Sequence, residues 1–502
     1  MRKIINAEQT RAADAHTIKN EPVSSIDLME RASQAFVTQL IRDLSLDHSI
    51  LVVCGTGNNG GDGLAITKLL LNKGFQVKSL LIRFSKKLSP DCQSNLNRLE
   101  ESEVQEITDV CSLDLTGFDL VIDAIFGSGL NRSVTGLAAK VIAKINDSGI
   151  PILSVDIPSG LMTDEIALEG PIIQADKTIT FQRPKLTFML PETGGYVNQW
   201  YAVDIRLVKS FINSQQSDFY YQEQEDVHQL CPSRNKFQHK GDFGRVQVFA
   251  GSIGKIGAAF LCAKAVLRVG AGLLTVHVPK IGNEILQTSL PEAMLTLDSE
   301  EQVITDGKLL GNTDVVCIGP GLGQDEQTKF WLSQLLRNSV CPLVLDADAL
   351  NLIAKMPSGY KCIPEGSVIT PHVGEFQRLF GGHKTSLHRL ETLKKVCTAQ
   401  KLVVVLKGAH SAIGLPTGEI VFNSTGNVGM ATAGSGDVLS GIITGLIAQG
   451  LSSGDAARLG VWLHGNAGDL AKMKYGEMSL MASDLLNEFP NAINNVRLAT
   501  FI

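Results

Sequence analysis

Aromatic residues are scarce in this chain, 6% of 502 residues. No apolar run approaches the ~20 residues a bilayer-spanning helix needs, so a membrane partner is not expected. The nine cysteines contain no CxxC pair and are odd in number, and several lie within apolar runs such as Leu51–Cys54 and Val315–Cys317. That pattern excludes a disulfide framework and a thiolate zinc site, and it fits small core residues in a reducing compartment. Excess positive charge is also missing: 45 Lys and Arg against 51 Asp and Glu leave a net charge of −6, with no electrostatic drive toward nucleic acid. The first residues, Met1-Arg2-Lys3-Ile4-Ile5-Asn6, turn polar at once and lack the apolar stretch of a secretory leader, so a cytoplasmic location is expected.

What is present is a globular composition, 44% hydrophobic and 19% charged, with 48 glycines gathered in clusters. The length implies roughly two to three domains. Short apolar runs alternate with helix-length amphipathic segments, the pattern of α/β layering on a largely parallel sheet. Strands are expected at Ile50–Cys54, Val77–Ile82, Leu120–Ala124, Ile152–Val155 and Lys177–Phe181 in the first half. In the second half they are expected at Val246–Ala250, Leu273–Val278, Val315–Ile318, Leu343–Leu345 and Val403–Leu406. Helices are expected at Gly63–Asn72, Thr135–Asp147, Ala258–Val269, Gly436–Ala448 and Asp455–Lys472. The Gln-rich stretch Ser210–Glu225 has neither helical nor strand periodicity and reads as a linker, with a surface helix or an extended edge segment as the alternative. Domains over residues 1–214 and 225–502 follow.

In the first half, Gly55-Thr56-Gly57-Asn58-Asn59-Gly60-Gly61-Asp62-Gly63 follows a buried strand and opens a helix. Glycines there allow backbone N–H groups to approach a phosphate, and the helix terminus adds partial positive charge. Two further strands end in acids, Asp123 before Ala124-Ile125-Phe126-Gly127-Ser128-Gly129-Leu130, and Asp156 before Ile157-Pro158-Ser159-Gly160. Each acid alone serves equally well as the cap of a turn. Three such loops at parallel strand ends converge on the crevice where open α/β sheets bind ligands.

In the second half, Gly434-Ser435-Gly436-Asp437 runs into a glycine-punctuated helix. It can build an anion hole from backbone N–H groups with a carboxylate beside it, a constellation suited to phosphoryl transfer. A helix simply capped by Ser435 is the plainer alternative. Lys407-Gly408-Ala409-His410-Ser411 follows a strand, as does Gly319-Pro320-Gly321-Leu322-Gly323. Asp346 and Asp348 end another strand. His372, in Thr370-Pro371-His372, precedes a helix that it can equally well cap.

The Gly-Asn-Asn-Gly-Gly-Asp-Gly, Asp-Ala-Ile-Phe-Gly-x-Gly-Leu and Val-Asp-Ile-Pro-Ser-Gly segments, together with Ala7–Asp14, resemble the NAD(P)H-hydrate epimerases over roughly residues 1–210. The second-half motifs, with His239–Gly244, are similar to the nucleotide-dependent NAD(P)H-hydrate dehydratases over roughly residues 225–495. Val373 and Val428 stand where proline is usual, and His410-Ser411 replaces Gly-Thr. The resemblance implies an N-terminal Rossmann-like three-layer α/β domain and a C-terminal ribokinase-like α/β domain. It implies that Asn58, Asn59, Gly60, Gly61, Asp62, Gly127, Ser128, Gly129, Leu130, Asn131, Arg132, Ser133 and Asp156 contact the hydrated dinucleotide NAD(P)HX, with Asp156 transferring the proton. A potassium ion is implied at Asn59, Asp123 and Ser159. In the second domain Ala258, Gly323, His372 and Asp437 would touch NAD(P)HX, with Asp437 as the base. Lys407, Gly408, Ala409, His410, Ser411 and Gly436 would bind the nucleotide, with Mg2+ on its phosphates. ADP is the implied donor, yielding AMP and phosphate, and a homo-oligomer is the expected assembly. For Asp156 to carry a proton, burial is expected to bring its pKa near neutrality. Lys185 is expected to be a solvated loop lysine, with assistance to Asp156 as the alternative. The competing functions are a ribokinase-like small-molecule kinase with a dinucleotide-binding N-terminal module, and a non-catalytic dinucleotide sensor.

Overall fold

A computed structural model describes residues 1–167 and 169–498, so residues 499–502 of the second expected domain lie outside the described residues. The chain divides into two compact units, Lys3–Ser217, and Met1–Arg2 with the chain from Asp218 onward. No helix among the described residues is long and apolar enough to cross a membrane.

The N-terminal unit is built on strands β1 (Ser49–Cys54), β2 (Gln76–Ile82), β3 (Val104–Ile107), β4 (Leu120–Ala124), β5 (Ile152–Val155), β6 (Lys177–Phe181) and β7 (Gln199–Val203). They lie in the order β3–β2–β1–β4–β5–β6–β7, with every pair parallel. Side chains of a strand alternate between faces, and a sheet covered on both faces needs both sets apolar. β1 meets that demand: Ile50, Val52 and Cys54 join one apolar cluster, while Leu51 and Val53 join another. Helices α2 (Ser25–Leu40) and α3 (Asn58–Asn72) cover the first face through Phe36, Val37, Leu64 and Ile66. Helix α4 (Gly136–Asn146) covers the second through Val141, Ile142 and Ile145. The result is a three-layer sandwich, preceded by helix α1 (Ala7–Asn20). After β1 the chain builds outward to β3, then returns to the other side at β4. The order therefore reverses between β1 and β4, and the crevice of such a sheet lies off their carboxyl ends.

The C-terminal unit contains β8 (Phe219–Gln222), β9 (Arg245–Phe249), β10 (Leu273–Val278), β11 (Met294–Leu297), β12 (Val315–Ile318), β13 (Leu343–Leu345), β14 (Val368–Ile369), β15 (Val403–Leu406), β16 (Ala412–Gly414) and β17 (Ile420–Asn423). These strands run in the order β8–β17–β16–β15–β14–β13–β12–β9–β10–β11. All neighbours from β15 to β11 are parallel; β16 and β17 fold back as antiparallel hairpins. Here the order reverses between β9 and β12. Helices α5 (Ile256–Val269), α6 (Asp348–Ala354), α7 (Val373–Phe380), α8 (Ser435–Ala448) and α9 (Ser453–Tyr475) belong to this unit. α8 is buried almost all round, in keeping with its uniformly apolar sequence. Two of its glycines allow close approach to α5: a Cβ at Gly441 would lie 2.2 Å from the Cys262 carbonyl oxygen, and one at Gly445 would lie 2.2 Å from Val269 Cγ1.

The stretch Ser210–Glu225 is ordered structure and not the free linker its polarity suggests. Lys209–Ser214 is helical, and β8 pairs in parallel with β17 through Tyr220 and Val421. The Gln222 amide nitrogen is bonded internally, Nε2 donating to Asn423 Oδ1 at 3.1 Å and to the Arg458 carbonyl at 3.0 Å. A strand that buries hydrogen-bonded amides carries no apolar signature.

Replacing Gly441 by alanine forces α8 away from α5. The expected cost is about 1–3 kcal/mol of unfolding free energy, the usual range for overpacking a core, measurable as a lower midpoint in denaturant titration.

Candidate functional site

In the N-terminal unit the glycine-rich segment after β1 is mostly helix. α3 begins at Asn58, not at Gly63, and its N-cap Gly57 offers no side-chain cap. Most glycines of the motif serve packing. A Cβ at Gly60 would lie 1.8 Å from the Gly55 carbonyl oxygen, at Gly61 2.9 Å from Met29 Sδ, and at Gly63 2.6 Å from Ala124 Cβ. What faces outward is an uncapped helix start with its partial positive charge. A cavity of about 740 Å³ lies over it, walled by Asn58, Asn59, Asp62, residues 127–132 and Asp156. Gly60, Gly61 and Ser133 are not on that wall.

Asp156 sits at the end of β5 with φ +65°, a left-handed conformation that costs a non-glycine residue energy and aims its side chain off the strand end. Oδ1 accepts from Thr180 Oγ1 and from the Phe181 N–H, both at 3.1 Å, and pairs with Lys185 Nζ at 3.0 Å. Lys185 is 1% exposed, so it is not a solvated loop lysine; its ammonium also donates to the carbonyls of Phe181 and Arg183. The expectation for the Asp156 proton is overturned with it. Burial alone would raise this carboxyl, but Lys185 and the hydrogen bonds outweigh it and hold the pKa below the usual carboxylate value. Sequence periodicity carried no trace of this, because Lys185 lies in an irregular segment whose burial depends on β6 and β7.

Asp123 is wholly buried at the end of β4. Oδ1 accepts from Ser159 Oγ at 2.5 Å and the Ile125 N–H at 3.2 Å, and Oδ2 from Ser154 Oγ at 2.8 Å and the Ser159 N–H at 2.9 Å. Ser159 Oγ also accepts from the Phe126 N–H at 2.8 Å. Asn59 is brought to the same loop, since a Cβ at Gly127 would stand 3.0 Å from Asn59 Oδ1, and its buried Nδ2 has no hydrogen-bond partner. The oxygens of an amide, a carboxylate and a hydroxyl thus gather at this loop, a set of the kind a monovalent cation accepts.

In the C-terminal unit the strand ends again gather the acids. Asp437, in the first turn of α8, is half-buried without a hydrogen-bond partner among the described residues. Burial and then the negative charge of Asp346 push its pKa up to about 7, with Lys407 acting the other way. Asp346 is 1% exposed; it takes Lys407 Nζ at 2.8 Å on Oδ1 and Ser440 Oγ at 2.5 Å on Oδ2. α8 is N-capped by Gly434 (φ +90°) with no side-chain cap, not by Ser435, and no described hydrogen bond uses the N–H of Gly436 or Asp437. Gly436 stands against Lys407, a Cβ there lying 3.3 Å from Nζ. Gly323 donates its N–H to Asp348 Oδ2 at 2.9 Å, and Ala258 lies within reach of the same turn, 2.9 Å from a Cβ at Gly321. His372 caps α7, accepting the Gly374 N–H on Nδ1 at 3.0 Å, with Nε2 3.3 Å from Glu375. Gly408 and Ala409 are exposed at the tip of the β15–β16 turn; Ser411 Oγ donates back to the Gly408 carbonyl at 3.3 Å, and His410 Nδ1 lies 3.2 Å from the Asn423 carbonyl. Two residues of this arrangement escaped sequence reading, Ser440 and Glu375, which hold Asp346 and His372 in place.

Lys185→Met leaves Asp156 buried without its cation. A loss of about 3–5 kcal/mol is expected near neutral pH. Because the folded pKa of Asp156 is depressed, the pair stabilises above the ordinary carboxylate pKa and its contribution fades as pH falls through the folded value. The deficit of the variant therefore shrinks on acidification below the ordinary carboxylate range, which denaturant titrations near pH 7 and at about pH 2–3 measure.

Sequence comparison follows the same two-part division. The family described as YjeF-related protein N-terminus matches residues 25–187, and that described as NAD(P)H-hydrate dehydratase matches residues 246–491. The chain is 37% identical to the bifunctional NAD(P)H-hydrate repair enzyme of Moorella thermoacetica, covering 98% of this chain and 97% of that one. It is 35% identical to the enzyme of the same name from Escherichia coli, covering 93% and 89%. The crystal structure of ADP/ATP-dependent NAD(P)H-hydrate dehydratase from Bacillus subtilis, co-crystallized with ATP/Mg2+, matches with a TM-score of 0.50 at 30% identity, over 55% of this chain and 98% of that one. The N-terminal unit is Rossmann-like and the C-terminal unit ribokinase-like. With both halves matched in order and the relatives aligned nearly end to end, the chain belongs to the bifunctional NAD(P)H-hydrate repair enzymes.

Proposed function

We propose that the N-terminal unit interconverts the R and S epimers of NADHX and NADPHX, and that the C-terminal unit dehydrates the S epimer to NADH or NADPH while converting ADP to AMP and phosphate. The observation that carries the reading is the Asp437 carboxyl, unpartnered among the described residues, beside two N–H groups that no described hydrogen bond uses and the Lys407–Asp346 pair. A carboxylate so poised takes the proton of the C6 hydroxyl, and the hydroxyl oxygen attacks the terminal phosphoryl group of the nucleotide. The N–H groups of Gly436 and Asp437 steady the charge on the moving phosphoryl oxygens, with Lys407 beside them. The ring nitrogen lone pair then expels phosphate, and loss of a neighbouring proton restores the dihydropyridine. Ala258, Gly323, His372 and Asp437 hold the hydrated dinucleotide; Lys407, Gly408, Ala409, His410, Ser411 and Gly436 hold the nucleotide. The ADP/ATP dependence of the Bacillus subtilis relative supports this assignment.

Mg2+, when bound, neutralises the nucleotide phosphates. The carboxylates near Asp437 are already engaged, Asp346 by Lys407 and Ser440 and Asp348 by Lys255, Gln324 and Gly323. The phosphates themselves would therefore supply most of its ligands. In the N-terminal unit, Asn58, Asn59, Asp62, residues 127–132 and Asp156 hold the dinucleotide, and Asp156 is the base. Asn59, Asp123 and Ser159 would hold K+, whose charge fixes the loop that carries Gly127.

An epimer mixture with ADP is expected to regain its full reduced-nicotinamide absorbance in the near ultraviolet, and recovery of the S fraction alone removes the epimerase half of the proposal. Asp437→Asn is expected to slow dehydration by about 10²–10⁴-fold. Because the base must be ionised, the dehydration rate should rise as pH passes about 7. A stable phosphorylated product in place of free phosphate identifies a small-molecule kinase instead.

A further inference from the structure

Asp156 shares the N-terminal cavity with other carboxyl groups. Asp14, from α1, and Asp62, from the second turn of α3, line the same wall. Their surroundings differ sharply from those of Asp156. Asp156 is saturated by Lys185, Thr180 and Phe181, whereas the carboxyls of Asp14 and Asp62 have no hydrogen-bond partner among the described residues. The charged groups around Asp14 are Asp62, Asp156 and Lys185, with Arg11, Asp91 and Arg132 also on the cavity wall.

NAD(P)HX carries its hydroxyl and the ring nitrogen on one carbon, C6. Inverting that carbon by ring opening needs two proton transfers in concert, one off the hydroxyl and one onto the nitrogen. An ionised carboxylate performs the first and a protonated carboxyl the second; two groups in the same state perform neither. We propose that Asp14 is the catalytic residue that delivers the proton to the ring nitrogen and takes it back, while Asp156 serves the hydroxyl; this rests on the epimerase reading of the N-terminal unit.

In the opening step Asp156 accepts the hydroxyl proton and the C6 oxygen becomes a carbonyl. The C6–N1 bond breaks with its electron pair moving to N1, and the Asp14 proton is delivered there. Rotation about C5–C6 presents the other carbonyl face. N1 attacks, Asp156 returns its proton to oxygen, and Asp14 recovers its own from nitrogen. Both acids finish as they began, as an isoenergetic exchange requires.

The choice of Asp14 over Asp62 follows from how firmly each holds its proton. Burial and the charge of Asp156 push Asp14 up to about 6, with Lys185 moderating the rise. Burial, then Asp156, Asp14 and Asp91, all push Asp62 well above the carboxylate range, with no cation facing it as Lys185 faces Asp14. An acid that begins protonated and must release its proton works best close to the operating pH, whereas Asp156 begins ionised and takes a proton only while the ring is open.

The test is epimer exchange by the full chain and by Asp14→Asn, followed across pH 5–8, with dehydration of the S epimer by the same preparation reporting the amount of active enzyme. The expected result is a loss of about 100-fold in kcat for exchange with little change in KM. The exchange rate of the unsubstituted chain should fall as pH rises past about 6, because the acid form is lost, and that decline should vanish in the variant. Asp14→Glu, which keeps an acid, should recover at least tenfold over Asp14→Asn, and Asp14→Ser supplies the same readouts where the Asn variant fails to fold. Exchange within threefold of the parent, with the decline above pH 6 intact, overturns the role of Asp14. Absence of exchange in the unsubstituted chain overturns the epimerase reading itself, a distinct result.

Discussion

In each unit a lysine turned inward against one aspartate sets the charge state of the acids around it. Lys185 lies 3.0 Å from Asp156, and Lys407 lies 2.8 Å from Asp346. Asp156 is held as the carboxylate by its cation and hydrogen bonds. Burial raises the neighbours that have no salt bridge of their own, Asp14 and Asp62 in the first unit and Asp437 in the second, and the charge of the paired aspartate adds to the rise. Burial and the ion pair together thereby push neighbouring acids apart in pKa, the condition under which acids and bases act together.

The pairs depend on close packing behind them. α3 can bring Asn58, Asn59 and Asp62 to the end of β1 only because Gly60 and Gly63 lie flush on the backbone of residue 55 and on Ala124. α8 presents Asp437 and its two open N–H groups because Gly441 and Gly445 let it settle on α5. Glycine clusters of this kind invite a reading as phosphate-binding loops. Here most of them set the distance between helix and sheet, and the ligand-facing work falls to the uncapped helix ends they position.

Much of this was visible in the residue order. Parallel strands buried on both faces are continuous apolar runs, so β1, β4, β12 and β15 stand out, and an acid or lysine directly after such a run falls at the carboxyl edge where ligands collect. Asp123, Asp156, Asp346 and Lys407 were legible for that reason, and Asp437 from the Gly-Ser-Gly-Asp turn at the start of α8. Lys185 was not, because its burial comes from contacts distant in sequence, and a lysine after Arg-Pro has the appearance of a solvated turn. Asp14 was hidden differently. It lies on a helix of low amphipathicity whose polar face looks like any solvated surface, and only the cavity beneath it reveals the face as functional. The start of α3 was misplaced by five residues because Asn-Asn-Gly-Gly is a poor helix sequence in isolation; tertiary contact of Gly60 and Gly61 overrides propensity.

The two chemistries place opposite demands on their unpaired acids. In the mechanism proposed, epimer exchange uses Asp14 in its protonated form and would weaken as pH climbs beyond about 6, whereas dehydration uses Asp437 ionised and would strengthen as pH passes about 7. A chain that handles a mixture of epimers is limited by whichever step is slower. Raising pH relieves the second step while taxing the first, and lowering it does the reverse. The useful range is therefore narrow and lies between the two values, where each acid retains an appreciable fraction of its working form. Shifting either pKa alone, through the lysine that sets its neighbour's charge, moves one limit without moving the other.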